Sequence, residues 1–208
     1  LGYDSVAAGL GLLAYTLPAL VMPPLAERLS LRYQPRIVIP AGLFTIGLGF
    51  MLMKLGSGIE NASWLTMLPG CILSGIGLGL TNTPVTNTTT GAVPPARSGM
   101  ASGIDMSARM ISLAINIPIM GFILVEGVRS SLQANLTLDM DVNTLQLLAE
   151  KVAAGTAGSS AQDVPGVLVH QALADGFGLV MLYAGISVWL LAAISFLVFG
   201  RVRKPACD

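Results

Sequence analysis

The sequence predicts an all-α, polytopic membrane helix bundle with five transmembrane helices. Hydrophobic residues make up 53% of the chain and charged residues only 11%, with a mean hydropathy of +0.75. That is too apolar for an ordinary soluble domain. Glycine occurs 24 times, as in bundles whose helices approach closely through small residues. Apolar runs recur at lengths that cross a hydrocarbon core of about 30 Å at about 1.5 Å per residue.

The first run extends from Val6 to about Ala26. Pro18 lies inside it and Pro23-Pro24 near its end, predicting a kink and then a stop. A short charged link, Glu27 to Arg36, leads to a second span, Ile37 to Leu55, with Lys54 placed to snorkel at its far end. After the turn Gly56-Ser57-Gly58, a third span starts at the interfacial Trp64 and runs to about Thr89, with Pro84 expected to bend it. The link Gly91 to Ser98 contains Pro94-Pro95, and the fourth span covers Gly99 to about Val125 with Pro118 inside. A fifth span, Gly176 to Gly200, precedes a basic tail over 201–208. The first run has no charged leader or cleavage site before it, so it is not a signal peptide, and the chain reads as a fragment lacking upstream helices.

Basic residues orient the bundle. Links on one face hold Arg28, Arg32, Arg36, Arg97, Arg201, Arg203 and Lys204, whereas the other face holds Lys54, Arg129 and Lys151. The positive-inside rule makes the first face cytoplasmic, with the N-terminus of the chain outside and its C-terminus inside the cytoplasmic membrane. Residues 128–175 then form an extracytoplasmic connection. Within it the capping-box spacing Asn143-Thr144-Leu145-Gln146, with Leu145, Leu148 and Val152 on one face, predicts a short helix near 143–154. Gly155 to Ser160 reads as a break, and Asp163 as the cap of a second short helix holding His170. The connection is read as a solvated cap, with a docking surface for a periplasmic partner as the alternative.

Composition excludes several classes. A formal net charge of +0 without a basic, aromatic-interleaved run argues against nucleic acid. One His, two remote cysteines (Cys71 and Cys207) and scattered carboxylates supply no metal cluster, cofactor site or nucleophile with its base, so no catalytic site is assigned and an enzyme is disfavoured.

The chemistry concentrates between Thr81 and Gly121. Asp105, Arg109, Ser112 and Asn116 fall on one narrow face of the fourth span. Charges at membrane depth cost about 2.5 to 3.5 kcal/mol each on insertion scales, so they face a bundle interior or water and find partners. The i,i+4 spacing makes Asp105 and Arg109 partners of each other, either as a structural ion pair or on a substrate or proton path. On the third span Asn82/Thr86 and Thr83/Asn87 are i,i+4 pairs that line an aqueous path or simply wet a helix end. The small-residue spacings Gly70/Ser74 and Gly75/Gly79 fit plain packing or a sliding interface equally.

Leu68-Pro69-Gly70, the glycine-rich run to Pro84, and Val93-Pro94-Pro95-Ala96-Arg97-Ser98-Gly99-Met100-Ala101-Ser102-Gly103 followed by Ala108-Arg109 resemble the C-terminal part of the EmrB/QacA-type drug:proton antiporters. These are fourteen-helix exporters of the major facilitator superfamily. Leu25-Ala26-Glu27-Arg28 resembles the superfamily's cytoplasmic gating motif, with Glu27 where Asp is usual, Ser30 where Gly is usual and Pro23 in place of the leading Gly.

The resemblance implies export of a small-molecule substrate in exchange for protons, with helical bundles rocking about a midplane cavity. Asp105, Arg109, Asn116, Asn82 and Asn87 would line or brace that cavity, and Glu27, Arg28 and Arg32 would make cytoplasmic contacts that differ between states. The partners implied are substrate, protons, the lipid bilayer and the missing N-terminal helices. A non-transporting scaffold or sensor built on a transporter-like half is the alternative.

Overall fold

In the computed structural model, which describes residues 5–58, 64–135, 142–155 and 166–201, all regular structure is helical. Helix α1 spans Ser5–Val21 and α2 spans Pro23–Tyr33. The proline pair that the sequence reads as a stop is instead the start of α2. Proline fits the first turn, where the missing N–H has no intrahelical acceptor to lose, and the segment read as a charged link is therefore helical as far as Tyr33. Gln34 then reverses the chain with φ 65°, a costly conformation for a side-chain-bearing residue. Pro35 follows it and opens α3 (Pro35–Ser57).

Helix α4 (Trp64–Gly91) is the hub, and two glycine-bearing faces seat it against two neighbours. Gly70, Ser74 and Gly77 lie against α3, where a Cβ on Gly77 would stand 2.7 Å from the Gly42 carbonyl oxygen. Gly75 and Gly79 lie instead against Tyr15, Ala19 and Met22, at α1 and its end. The two small-residue spacings thus serve different partners, both by backbone approach.

A 3₁₀ turn at Pro95–Arg97 leads into α5 (Ser98–Asn135), and a short α6 (Val142–Ala153) precedes α7 (Gly166–Arg201). Trp189 of α7 stacks on Phe44 of α3 at 5.7 Å between ring centroids, and its indole N–H donates to the Phe44 carbonyl at 3.3 Å. Helix α5 meets α7 where Gly127 packs on Gly176.

At 38 residues α5 is roughly 57 Å long, well beyond a hydrocarbon core. The helix therefore continues past Val125, the end read for the fourth span. Likewise α7 starts ten residues before the Gly176 read as the start of the last span, so His170 sits on that long helix rather than on a separate short one. The span bounds follow the edges of the apolar runs, whereas helix and burial continue beyond them. Helix α6 covers the protruding ends and buries Leu145, Leu148, Ala149 and Val152 against Val128, Leu132 and Ala172. Gly155, at φ 70°, donates to the Val152 carbonyl at 3.1 Å and closes α6. Asp163, and most of the break read over 155–160, lie outside the described residues.

By length and composition, three described helical stretches are able to cross a membrane: Pro35–Ser57, Pro95–Asn135 and Gly166–Val198. This makes the chain a multi-pass membrane protein. Helix α1 contributes a shorter apolar stretch, Leu12–Val21, and the second half of α4 is polar from Asn82 onward.

Gly77→Leu should lower the melting temperature in detergent by an overpacking cost of about 1 to 3 kcal/mol, because Gly42 and Ile46 leave it no room. Gly121→Leu, in open space, should leave it unchanged. Leu132→Ala should cost about 2 to 5 kcal/mol locally, seen as faster hydrogen exchange across α6 with α3 and α4 unaffected.

Candidate functional site

The site is built where α5 crosses the polar half of α4. Threonines on the polar half of α4 satisfy their hydroxyls by bonding back to their own turn. Thr81 donates to Gly77, Thr88 to Pro84, Thr89 to Val85 and Thr90 to Thr86, at 2.6 to 2.9 Å. Two α4 side chains point across the gap instead, Asn82 and Thr86, one turn apart.

Arg109 of α5 takes both. Its Nη1 donates to the Asn82 Oδ1, and its Nη2 donates to the Thr86 Oγ1 at 3.0 Å. Toward its own helix its Nε donates to the Asp105 Oδ2 at 3.0 Å, and Nη2 lies at the same distance from that oxygen. The planar guanidinium thereby forks between a carboxylate one turn back and two neutral oxygens on the next helix. The Arg109 side chain remains 36% exposed and Asp105 19%, so the cluster is paired yet open to whatever occupies the adjoining space.

Asn82 also forms one wall of a pocket of about 250 Å³ between α4 and the α1–α2 corner, otherwise lined mainly by apolar or small residues such as Ala19, Leu20, Pro23 and Leu78. A polar cluster beside an apolar wall offers both a charged and a greasy surface to a ligand.

Asp105 and Arg109 pair, as their i,i+4 spacing suggested, and Asn82 of α4 joins them. Asn116 does not join them. Its amide donates to the Ser112 carbonyl of its own helix at 2.9 Å, about two turns further along α5. Asn87 faces another direction and lines a pocket of about 440 Å³ with Ser30 and Pro35, at the α2–α3 corner. Glu27, Arg28 and Arg32 are exposed on α2, and among the described residues none forms an ion pair; the Arg32 guanidinium lies 5.5 Å from the Tyr33 ring centre. Thr86 belongs to the cluster, although the sequence named it only as the i,i+4 partner of Asn82 and not among the residues lining the cavity. Its i,i+4 relation to Asn82 was the available signal, but the partner helix was not legible.

The class of protein is set by these features: a multi-pass helical membrane protein whose polar cluster joins α4 to the long apolar helix α5. Residues 1–137 match the Major Facilitator Superfamily, and the chain belongs to that family of membrane transporters. It is 33% identical over 135 residues to the multidrug resistance protein Stp of Mycobacterium tuberculosis, covering 65% of this chain and 25% of Stp. The multidrug efflux pump LfrA of Mycolicibacterium smegmatis is 25% identical over 177 residues, covering 83% of this chain and 33% of LfrA. A third relative, the cephamycin export protein CmcT of Amycolatopsis lactamdurans, is 32% identical over 121 residues, 58% of this chain and 25% of CmcT. The chain thus spans between a quarter and a third of the length of these curated relatives. No solved structure gives a significant match.

The bridge makes a measurable coupling. Arg109→Ala and Asn82→Ala should be non-additive in thermal stability, with an interaction energy of about 0.5 to 3 kcal/mol. Asn116→Ala combined with Arg109→Ala should be additive, since Asn116 spends its amide on its own helix.

Proposed function

We propose that this chain is the C-terminal part of a fourteen-helix drug:proton antiporter of the plasma (inner) membrane. In this reading five helices cross the bilayer, α1, α3, α4, α5 and α7. The N-terminus of the chain lies outside and its C-terminus in the cytoplasm, and the ends of α5 and α7 with α6 form an extracytoplasmic crown. Export of drug-like small molecules is supported by relatives named for multidrug resistance and efflux.

The observation that carries the reading is Arg109 spanning α5 and α4 through Asp105, Asn82 and Thr86. Protonating Asp105 removes the one full negative charge facing Arg109 in this cluster and leaves it two neutral acceptors. Held only by neutral acceptors, the guanidinium is then freer to leave the cluster and meet substrate or water. Transport by rocking requires contacts that differ between two states and are of nearly equal strength in both. A partly exposed, hydrogen-bonded charge pair meets that requirement better than a sealed one. Glu27, Arg28 and Arg32, exposed on α2, supply the cytoplasmic contacts to the opposing bundle. Asn87, beside the α2–α3 corner, and Asn116, deeper on α5, extend the polar lining.

Drug-driven proton flux in vesicles containing the full parent protein tests this reading. Asp105→Asn and Arg109→Ala, at matched expression, are expected to lower export to the level of empty vesicles. Unchanged export in both would reduce the cluster to a structural pair. Absence of any drug-dependent flux in the wild-type protein would favour the scaffold or sensor reading.

A further inference from the structure

A second polar hollow lies at the opposite end of the bundle from the basic cytoplasmic links, where α3 ends and α5 and α7 continue into the crown. It has a volume of about 400 Å³, and Lys54, Ser57, Ser131, Asn135, Asp175 and Leu179 are among its lining residues. Two opposite charges share this wall, yet Lys54 and Asp175 form no ion pair with each other. Among the described residues Lys54 has no ion-pair partner at all. Asp175 accepts a hydrogen bond from the Ser131 hydroxyl at 2.7 Å through Oδ2, which orients the carboxylate and leaves it further acceptor capacity. Leu179, 45% exposed, gives the hollow an apolar edge on the membrane side of Asp175.

We propose that this hollow binds a zwitterionic phosphoethanolamine headgroup, supplied by a phospholipid of the outer leaflet. Lys54 takes the phosphate and Asp175 the primary ammonium. Opposite charges held apart around a hollow complement a ligand carrying the reverse arrangement. The ammonium donates hydrogen bonds to the carboxylate, which the quaternary amine of phosphatidylcholine has no N–H to make. Leu179 meets the start of the acyl chains. The site's position at the bilayer boundary rests on the five-span topology proposed above, but not on drug export.

The full parent protein, offered equal amounts of phosphatidylethanolamine and phosphatidylcholine in mixed micelles, is scored by native mass spectrometry of retained lipid. Wild type is expected to favour phosphatidylethanolamine by roughly tenfold, the size of one charge-assisted hydrogen bond. Asp175→Asn should bring the ratio close to one, and Ser131→Ala, a milder change, should lower it in part. Lys54→Gln should reduce retention of both lipids without changing their ratio. An equal ratio in wild type, or a preference that survives Asp175→Asn in protein with unchanged circular dichroism, overturns the proposal. Displacement of the lipid by soluble phosphoethanolamine at the same concentration would assign the site to a free zwitterion and overturn the lipid source. None of these readouts involves transport, so they stand or fall separately from the antiporter reading.

Discussion

Lipid offers helices no hydrophobic reason to associate, since their side chains are as well solvated by acyl chains as by one another. Cohesion must come from backbone approach and from polar groups that have nowhere better to go. Helix α4 answers with glycine on two faces, so that α3 and the α1 end press against its backbone. Helix α7 is then fastened to α3 by the Trp189–Phe44 stack and the indole hydrogen bond. These contacts tolerate almost no added volume, so α1, α3, α4 and α7 form a tightly registered block.

Helix α5 is held differently. It joins α7 near Gly127 and Gly176, and it reaches α4 through the long arm of Arg109. Between those anchors its side chains are largely exposed, including Met110, Ile111 and Phe122. Close glycine packing has one good register, whereas a guanidinium on a flexible stem accepts several geometries and several partners. A charged bridge between elements is thus the place where motion costs least. Beyond the bundle the arrangement reverts to soluble-protein rules: α6 buries one apolar face against α5 and α7, and Leu132 and Val152 are almost fully enclosed.

Much of this was legible in the residues. The length of the apolar runs located the long helices, and the i,i+4 spacing of Asp105 and Arg109 announced their pairing. The Leu145, Leu148 and Val152 stripe marked a helix with one buried face where α6 lies. Less visible was the end of each helix. Apolarity stops at the edge of the bilayer, but backbone hydrogen bonding continues wherever a further core protects it, which is why α5 reaches Asn135 and α7 begins at Gly166. The Pro23-Pro24 pair carried a true signal of a boundary and an ambiguous one of direction, because proline both ends one helix and opens the next.

By itself, then, the sequence determined the all-α membrane class, the family to which the chain belongs and the polar face of α5, because each depends on composition or on spacing along a single helix. Only the tertiary structure decided that Thr86 joins Asn82 in receiving Arg109, and that Asn116 bonds to its own helix instead. It also decided that Lys54 and Asp175, far apart in the chain, share one hollow. Those pairings depend on how α3, α4, α5 and α7 are rotated and staggered against one another. That is set by which glycine meets which backbone, a relation between helices that no single helix records.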